Sequence, residues 1–136
     1  MVSLIKLIEF KNLGDERGNL VSFEGNKNIP FEIKRVYCIY ATKQNVVRGL
    51  HAHKTLKQVV IALKGSCKFV LDDGLKREEI LLDIPTHGLL IDSCTWREMH
   101  DFSADCVLMV LASDHYDEAD YIRDYHVFFN TMAIGN

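Results

Sequence analysis

Apolar and polar residues alternate along much of this chain with a period of two. In Ile33–Tyr40, the residues Ile33, Arg35, Tyr37 and Ile39 share one face, and Lys34, Val36, Cys38 and Tyr40 the other. That is the spacing of a β-strand. Gln58–Leu63 is a compact apolar run that ends at the Lys64-Gly65 turn. Ser66–Leu71 follows and leads into Asp72-Asp73-Gly74, a hairpin signal, with Glu79–Leu82 as the return strand. Gly88–Ile91 and Cys106–Ala112 are two further apolar runs of strand length. Short strands at this regular spacing predict an all-β sandwich or barrel over a helical bundle. The end of the chain differs. Asp117-Glu118-Ala119-Asp120 predicts the start of a helix running to about Met132, because acidic side chains favour a first turn. Tyr121, Ile122, Tyr125, Phe128 and Phe129 would be its apolar stripe, packed against the barrel.

Composition narrows the picture. A chain of 136 residues is one domain on the usual size range of roughly 100–200 residues, and residues 1–136 carry no low-complexity stretch or repeat that would mark a boundary. The hydrophobic share of 48% is too high for disorder. The formal net charge of -3 argues against nucleic-acid binding by bulk electrostatics. Apolar runs such as Cys106–Ser113 fall far short of the roughly 20 residues of a membrane span. The start, MVSLIKLIEF, lacks the layout of a signal peptide and reads as structure. Cys38, Cys67, Cys94 and Cys106 show no CxxC spacing and sit among apolar neighbours, so buried free thiols of a cytoplasmic protein are expected.

The chemistry gathers around two of the six histidines. His51 and His53 are two apart, so on a strand both imidazoles enter one cavity. Imidazole titrates near neutrality and suits a ligand pair or an acid–base pair. With Gln58 and Gly65 the pattern is H-x-H-x4-Q-x6-G, which resembles the first cupin motif. In that motif an acidic ligand normally stands where this chain has Gln58. The second cupin motif usually offers a third histidine, and here Arg97, within Ser93-Cys94-Thr95-Trp96-Arg97, takes that place. Glutamine is an uncharged donor and a guanidinium stays cationic, so the set is a poor one for a divalent metal. No metal and no other cofactor is therefore expected. A register shifted by three residues would bring in His100, leaving a metal-dependent cupin of His51, His53 and His100 as one rival.

The resemblance then becomes more specific. Arg48-Gly49-Leu50-His51-Ala52-His53-Lys54, Gln58, Gly65-Ser66-Cys67 and Leu71-Asp72-Asp73-Gly74 are similar to the dTDP-4-keto-6-deoxyglucose 3,4-ketoisomerases. So are Trp96-Arg97-Glu98-Met99-His100-Asp101-Phe102, Leu111-Ala112-Ser113-Asp114, and the tail from Tyr116 to Arg123. Residues 26–31 and 34–37 also fit the family. The resemblance implies a cupin, RmlC-like jelly roll with a short C-terminal helix. It implies a dTDP-linked 4-keto-6-deoxy sugar as substrate, a 3-keto product, and a homodimer with N-terminal strand exchange. It also implies cytoplasmic synthesis of deoxyamino sugars for bacterial polysaccharides or S-layer glycans. No nucleic acid or membrane is called for.

The expected reaction passes through an enediol by acid–base proton transfer. His51 is the first candidate base and His53 a second acid–base or orienting group. Tyr37 would assist at an oxygen, and Arg97 would stabilise the enolate oxygen or the diphosphate. Arg17, Arg35, Arg48, Lys54, Gln58, Trp96 and His100 are the expected substrate-binding residues, the arginines for their bidentate match to phosphate. A 3,5-epimerase-like enzyme and a non-enzymatic sugar-nucleotide-binding cupin are the other rivals. Which imidazole is the base, which arginine holds the diphosphate, and the C-4 configuration of the product stay open at this level.

Overall fold

A computed structural model describes residues 2–135. Met1 and Asn136, the two ends of the expected 1–136 domain, lie outside the described residues. In chain order the elements are β1 (Lys6–Glu9), β2 (Arg35–Tyr40), β3 (Arg48–His53), β4 (Gln58–Lys64) and β5 (Cys67–Asp72), then β6 (Arg77–Leu82), β7 (His87–Ile91), β8 (Trp96–His100) and β9 (Val107–Ala112). A short 3-10 turn at Glu118–Asp120, β10 (Tyr121–Ile122) and α1 (Tyr125–Gly135) complete it. Two antiparallel five-stranded sheets face each other, in the orders β1-β7-β4-β9-β2 and β10-β3-β8-β5-β6. This is the expected all-β roll with a short C-terminal helix.

The alternation read from the sequence decides what lies inside. Ile39, Val60, Ala62, Phe69, Leu71, Leu82, Leu89, Ile91, Met99, Leu108 and Val110 fill the space between the sheets. Their neighbours Val59, Ile61 and Leu111 point out of the first sheet, where Phe10, Ile29 and Phe31 of the long segment before β2 cover them. The outer face of the second sheet is covered by α1, through Phe128 against Ala52, Trp96 and Ile122. Burying apolar surface on both faces of both sheets is the main force holding this roll together. No helix among the described residues is long and apolar enough to cross a membrane.

Two sequence expectations are corrected. The acidic run does not begin the long helix. Asp117 caps only the 3-10 turn through the Ala119 amide, 3.0 Å away. Asp120 then accepts hydrogen bonds from the Thr55 amide and hydroxyl, each at 2.9 Å. This ties the chain to the β3–β4 connection, and Tyr121–Ile122 pairs with His53 and Ala52 as an edge strand. The α-helix starts afresh behind Asp124, whose carboxylate accepts from the Val127 amide at 3.1 Å. The second correction concerns the thiols. All four cysteines are free, but only Cys67 and Cys106 are buried. Cys38 is exposed beside Val36 and Tyr40 on the outer face of β2, which the covering segment leaves open.

Candidate active site

Tyr37 of β2, His51 of β3, Gln58 of β4 and Arg97 of β8 point between the sheets and meet in one small cavity. Val60, Phe69, Ile91, Met99 and Val110 form its apolar wall. Its volume is about 10 Å³, room for one water-sized group. A β-bulge places His51 there. Arg48 pairs with Met99, Gly49 with Glu98 and His51 with Arg97, so Leu50 is the extra residue. Gly49 (φ 83°) and Leu50 (φ 55°) both take left-handed backbone. A Cβ at Gly49 would lie 3.0 Å from the Arg97 carbonyl oxygen, so this strand crossing requires glycine. Gly65, the last residue of the motif, has a similar reason: a Cβ there would lie 2.3 Å from Ser103 Oγ.

The imidazole tautomers follow from their partners. His51 Nδ1 lies 2.9 Å from the Gly49 carbonyl, which can only accept, so Nδ1 carries the proton. His53 Nδ1 likewise donates to Asp120 Oδ2 at 3.2 Å. In both rings Nε2 is left as a bare lone pair, buried and without a partner. The rings stand edge to face, 4.8 Å between centroids, and the Tyr121 ring lies 4.9 Å from His51 and 4.3 Å from His53. Burial, then the nearby Arg97 charge, lowers the His51 pKa from 6.5 to about 4. The same two causes, with His51 itself, lower that of His53. Both imidazoles are therefore neutral at neutral pH. For Asp120, burial acts to raise the pKa, but the bonds from Thr55 and Leu56 outweigh it and hold the carboxylate ionised.

Arg97 is 2% exposed. It donates to Gln58 Oε1, and to the Thr95 carbonyl at 3.1 Å, while its Nε–H has no partner. None of the described carboxylates forms an ion pair with it. Burial lowers its pKa to about 10, so it remains a cation. Gln58 also donates from Nε2 to the Tyr37 hydroxyl at 3.0 Å. The glutamine thus bridges the guanidinium and the phenol, and because its Nε2 donates to the phenol oxygen, the Tyr37 O–H is left to donate elsewhere. Burial raises the Tyr37 pKa and keeps its hydroxyl protonated.

The other expected site residues separate. Arg35 is half-buried, its Cζ 4.5 Å from the centre of the Tyr37 ring, at the outer end of the cavity. Arg48 and Lys54 are exposed at the start of β3 and just after its end. Arg17 is not brought to this cavity. It sits in an exposed turn paired with Asp15 at 2.6 Å, beside a separate surface recess. Trp96 and His100 are turned away, because Trp96, Glu98 and His100 share the face opposite Arg97 and Met99. Trp96 is buried beneath α1 and donates to Glu98 Oε2 at 2.9 Å. His100 Nε2 lies 2.9 Å from Glu98 Oε1. It is on the wrong side of the sheet to join His51 and His53 on a metal. Among the described residues no group of three or more His, Cys, Asp or Glu could hold one.

The sequence reading missed Asp120, which orients His53, and Tyr121, which lies over both imidazoles. Their partners are close in space and 60 or more positions away in the chain. The β-forming Tyr121-Ile122 pair within a supposed helix was the one local signal.

Comparisons with known proteins give the chain's relatives. The family model described as FdtA: WxcM-like, C-terminal, matches residues 3–133. A TDP-4-oxo-6-deoxy-alpha-D-glucose-3,4-oxoisomerase from Aneurinibacillus thermoaerophilus is 59% identical over 128 residues, covering 94% of this chain and 92% of that protein. A 3,4-ketoisomerase from Helicobacter canadensis superimposes with a TM-score of 0.92 at 49% identity, covering 95% of this chain and 97% of that one. A mutant of the QdtA 3,4-ketoisomerase from Thermoanaerobacterium thermosaccharolyticum, solved with TDP-4-keto-6-deoxyglucose, gives 0.94 at 44% identity over 98% and 97%. The rmlC epimerase of Mycobacterium tuberculosis, 18% identical with a TM-score of 0.74 over 88% of this chain and 68% of that one, shares the fold.

Proposed function

The chain belongs to the FdtA family, and from that membership we propose that it is a sugar-nucleotide 3,4-ketoisomerase acting on TDP-4-keto-6-deoxyglucose. The observation that carries the mechanism is the pair of buried, unpartnered imidazole Nε2 atoms with the unpartnered Arg97 Nε–H. Bare lone pairs remove a proton from carbon. A fixed cationic donor stabilises the oxyanion that results.

The C-3 proton of the substrate is acidified by the C-4 ketone. An imidazole Nε2 takes it, the C–H electrons form a C-3–C-4 double bond, and the C-4 carbonyl becomes an oxyanion facing Arg97. Protonation of that oxygen gives the enediol. Loss of the O-3 proton then forms the C-3 carbonyl, and a proton is added at C-4. One carbon is oxidised and its neighbour reduced, so no external oxidant or reductant takes part. His51 is assigned as the base, since it, unlike His53, lines the cavity. His53, oriented by Asp120, is the second acid–base group. The Tyr37 hydroxyl, held by Gln58, serves proton exchange at the sugar oxygens. Arg35 and Arg48 are kept as binding residues; Trp96 and His100 are assigned to the packing and polar network on the outer face of the second sheet.

The same reading extends to assembly and setting. We assign residues 1–136 to a single cupin domain acting as a homodimer with N-terminal strand exchange. In support, β1 is an edge strand joined to its own sheet by four residue pairs with β7, a pairing that two copies can form reciprocally. Exchange would also carry the Arg17 turn away from its own chain. Four free thiols and a nucleotide-sugar substrate suit a cytoplasmic setting. A 3-keto product suits an aminating enzyme in deoxyamino-sugar synthesis.

Incubation with TDP-4-keto-6-deoxyglucose in deuterated water, followed by NMR, tests the reaction. The expected result is a ketone moved to C-3 with solvent deuterium at C-4. No conversion, or deuterium entering C-3 and C-5 with the ketone left at C-4, would overturn it. The second pattern would indicate a 3,5-epimerase instead.

A further inference from the structure

Gln58 is buried in the inner wall of the cavity, and its amide has one orientation open to it. The Arg97 guanidinium can only donate, so the atom facing Nη1 is Oε1. Nε2 then faces the Tyr37 hydroxyl at 3.0 Å and donates to it. Among the described residues no group accepts the Tyr37 proton in turn. The His51 ring is set the opposite way, with a bare lone pair at Nε2. The cavity therefore shows an acceptor at His51 and donors at Tyr37 and at the Arg97 Nε–H. A carboxylate at position 58 would reverse part of this order, because it has no hydrogen to give. It would accept the Tyr37 proton for itself and offset the Arg97 charge. Burial raises the Tyr37 pKa, while the Gln58 hydrogen bond and the Arg97 charge act the other way. Those two favour a phenolate formed within the site.

Resting on the ketoisomerase reading, we propose that Gln58 is a positioning residue: its amide aims the Tyr37 proton at the substrate, and the reaction requires that position 58 carry no charge. When an imidazole Nε2 takes the C-3 proton, O-4 becomes an oxyanion. The Tyr37 O–H bond then breaks and its proton forms the O-4–H bond. The phenolate left behind is held by the Gln58 Nε2–H, with Arg97 on the other side of the same amide. That phenolate next takes the O-3 proton, and the O–H electrons form the C-3 carbonyl. The electrons of the C-3–C-4 double bond take a proton at C-4 from the imidazole pair, whose protons exchange with solvent. Tyr37 and the imidazoles end as they began, so no oxidant or reductant is used. Gln58 touches no reacting atom and acts through Tyr37 and Arg97.

The test measures kcat and KM for ketone transfer in TDP-4-keto-6-deoxyglucose by NMR, beside a thermal melt of each protein. Gln58→Glu keeps the shape of the side chain and gives Arg97 a carboxylate partner. Its melt should hold at or above that of wild type, while kcat falls about 100-fold or more and KM stays within about threefold. Gln58→Met removes both amide bonds and leaves Arg97 its bond to Thr95. It should lower kcat about tenfold or more, and Tyr37→Phe about 100-fold. Because Gln58 acts through Tyr37, the two losses should not multiply: Tyr37→Phe with Gln58→Met should turn over within about threefold of Tyr37→Phe alone. A merely structural glutamine predicts the reverse, with lowered melts and losses that multiply. Turnover within about tenfold of wild type in Gln58→Glu, or multiplied losses in the double variant, would overturn the proposal. Should Gln58→Glu fail to fold, the double variant decides alone. Wild-type protein that leaves the ketone at C-4 would refute the ketoisomerase reading itself, a result distinct from both.

Discussion

Arg97→Met separates what the buried guanidinium does for catalysis from what it does for the fold. Burial lowers the Arg97 pKa from 12.5 to about 10. Each tenfold change in a proton equilibrium is worth about 1.4 kcal/mol, so confining this charge costs the folded state roughly 3 kcal/mol. Methionine fills similar space without a charge. Against that gain, Gln58 Oε1 and the Thr95 carbonyl lose their donor, at roughly 1–3 kcal/mol each. The two sides largely offset, so Arg97→Met should change stability by no more than about 3 kcal/mol. For a domain of this size that is a Tm shift within roughly 9 °C. Turnover should behave differently, because removing a donor aimed at a developing oxyanion costs about 10²–10³ in kcat. Urea denaturation and a thermal melt measure the first quantity, and ketone transfer followed by NMR the second. A Tm fall beyond about 10 °C would show that Arg97 is chiefly a structural tie. Turnover retained within about tenfold would remove it from the reacting oxygen.

Acid should destabilise the protein through its histidines. The folded-state pKa of His51 is lowered from 6.5 to about 4, so between those values the unfolded chain binds the proton and the folded one does not. Stability therefore falls as pH drops from about 6.5 towards 4, by up to roughly 3 kcal/mol from His51; denaturation series for wild type and His51→Asn should diverge in that window, and parallel curves would refute the assignment. Gly49→Ala should destabilise by roughly 1–3 kcal/mol, from the positive φ and the close Arg97 carbonyl. It should also lower kcat by misdirecting His51. An unchanged melt with full activity would mean that the bulge does not aim the imidazole.

Much of this protein is written locally. The period of two specifies the strands, puts His51 and His53 on one face, and places Gln58 and Arg97 among residues that turn inward. The same parity already denies Trp96 and His100 a place beside Arg97, since odd separations along a strand point to opposite faces. The motif H-x-H-x4-Q-x6-G carried the family, and its two departures, Gln58 and Arg97, turn out to bond each other. Tertiary structure decided the rest. Parity says which residues share a face, but only the packing of the second sheet says which face is inside. Leu50 becomes a bulge because β3 is measured against β8. Cys38 is exposed because the covering segment stops short of the outer face of β2. Asp120 leaves its expected helix because the Thr55 and Leu56 amides and His53, 64 to 67 positions away, satisfy its carboxylate. Local propensity favours a helix by tenths of a kcal/mol per residue. A half-buried carboxylate with several hydrogen bonds outweighs it, and those bonds do not exist until the sheets have closed.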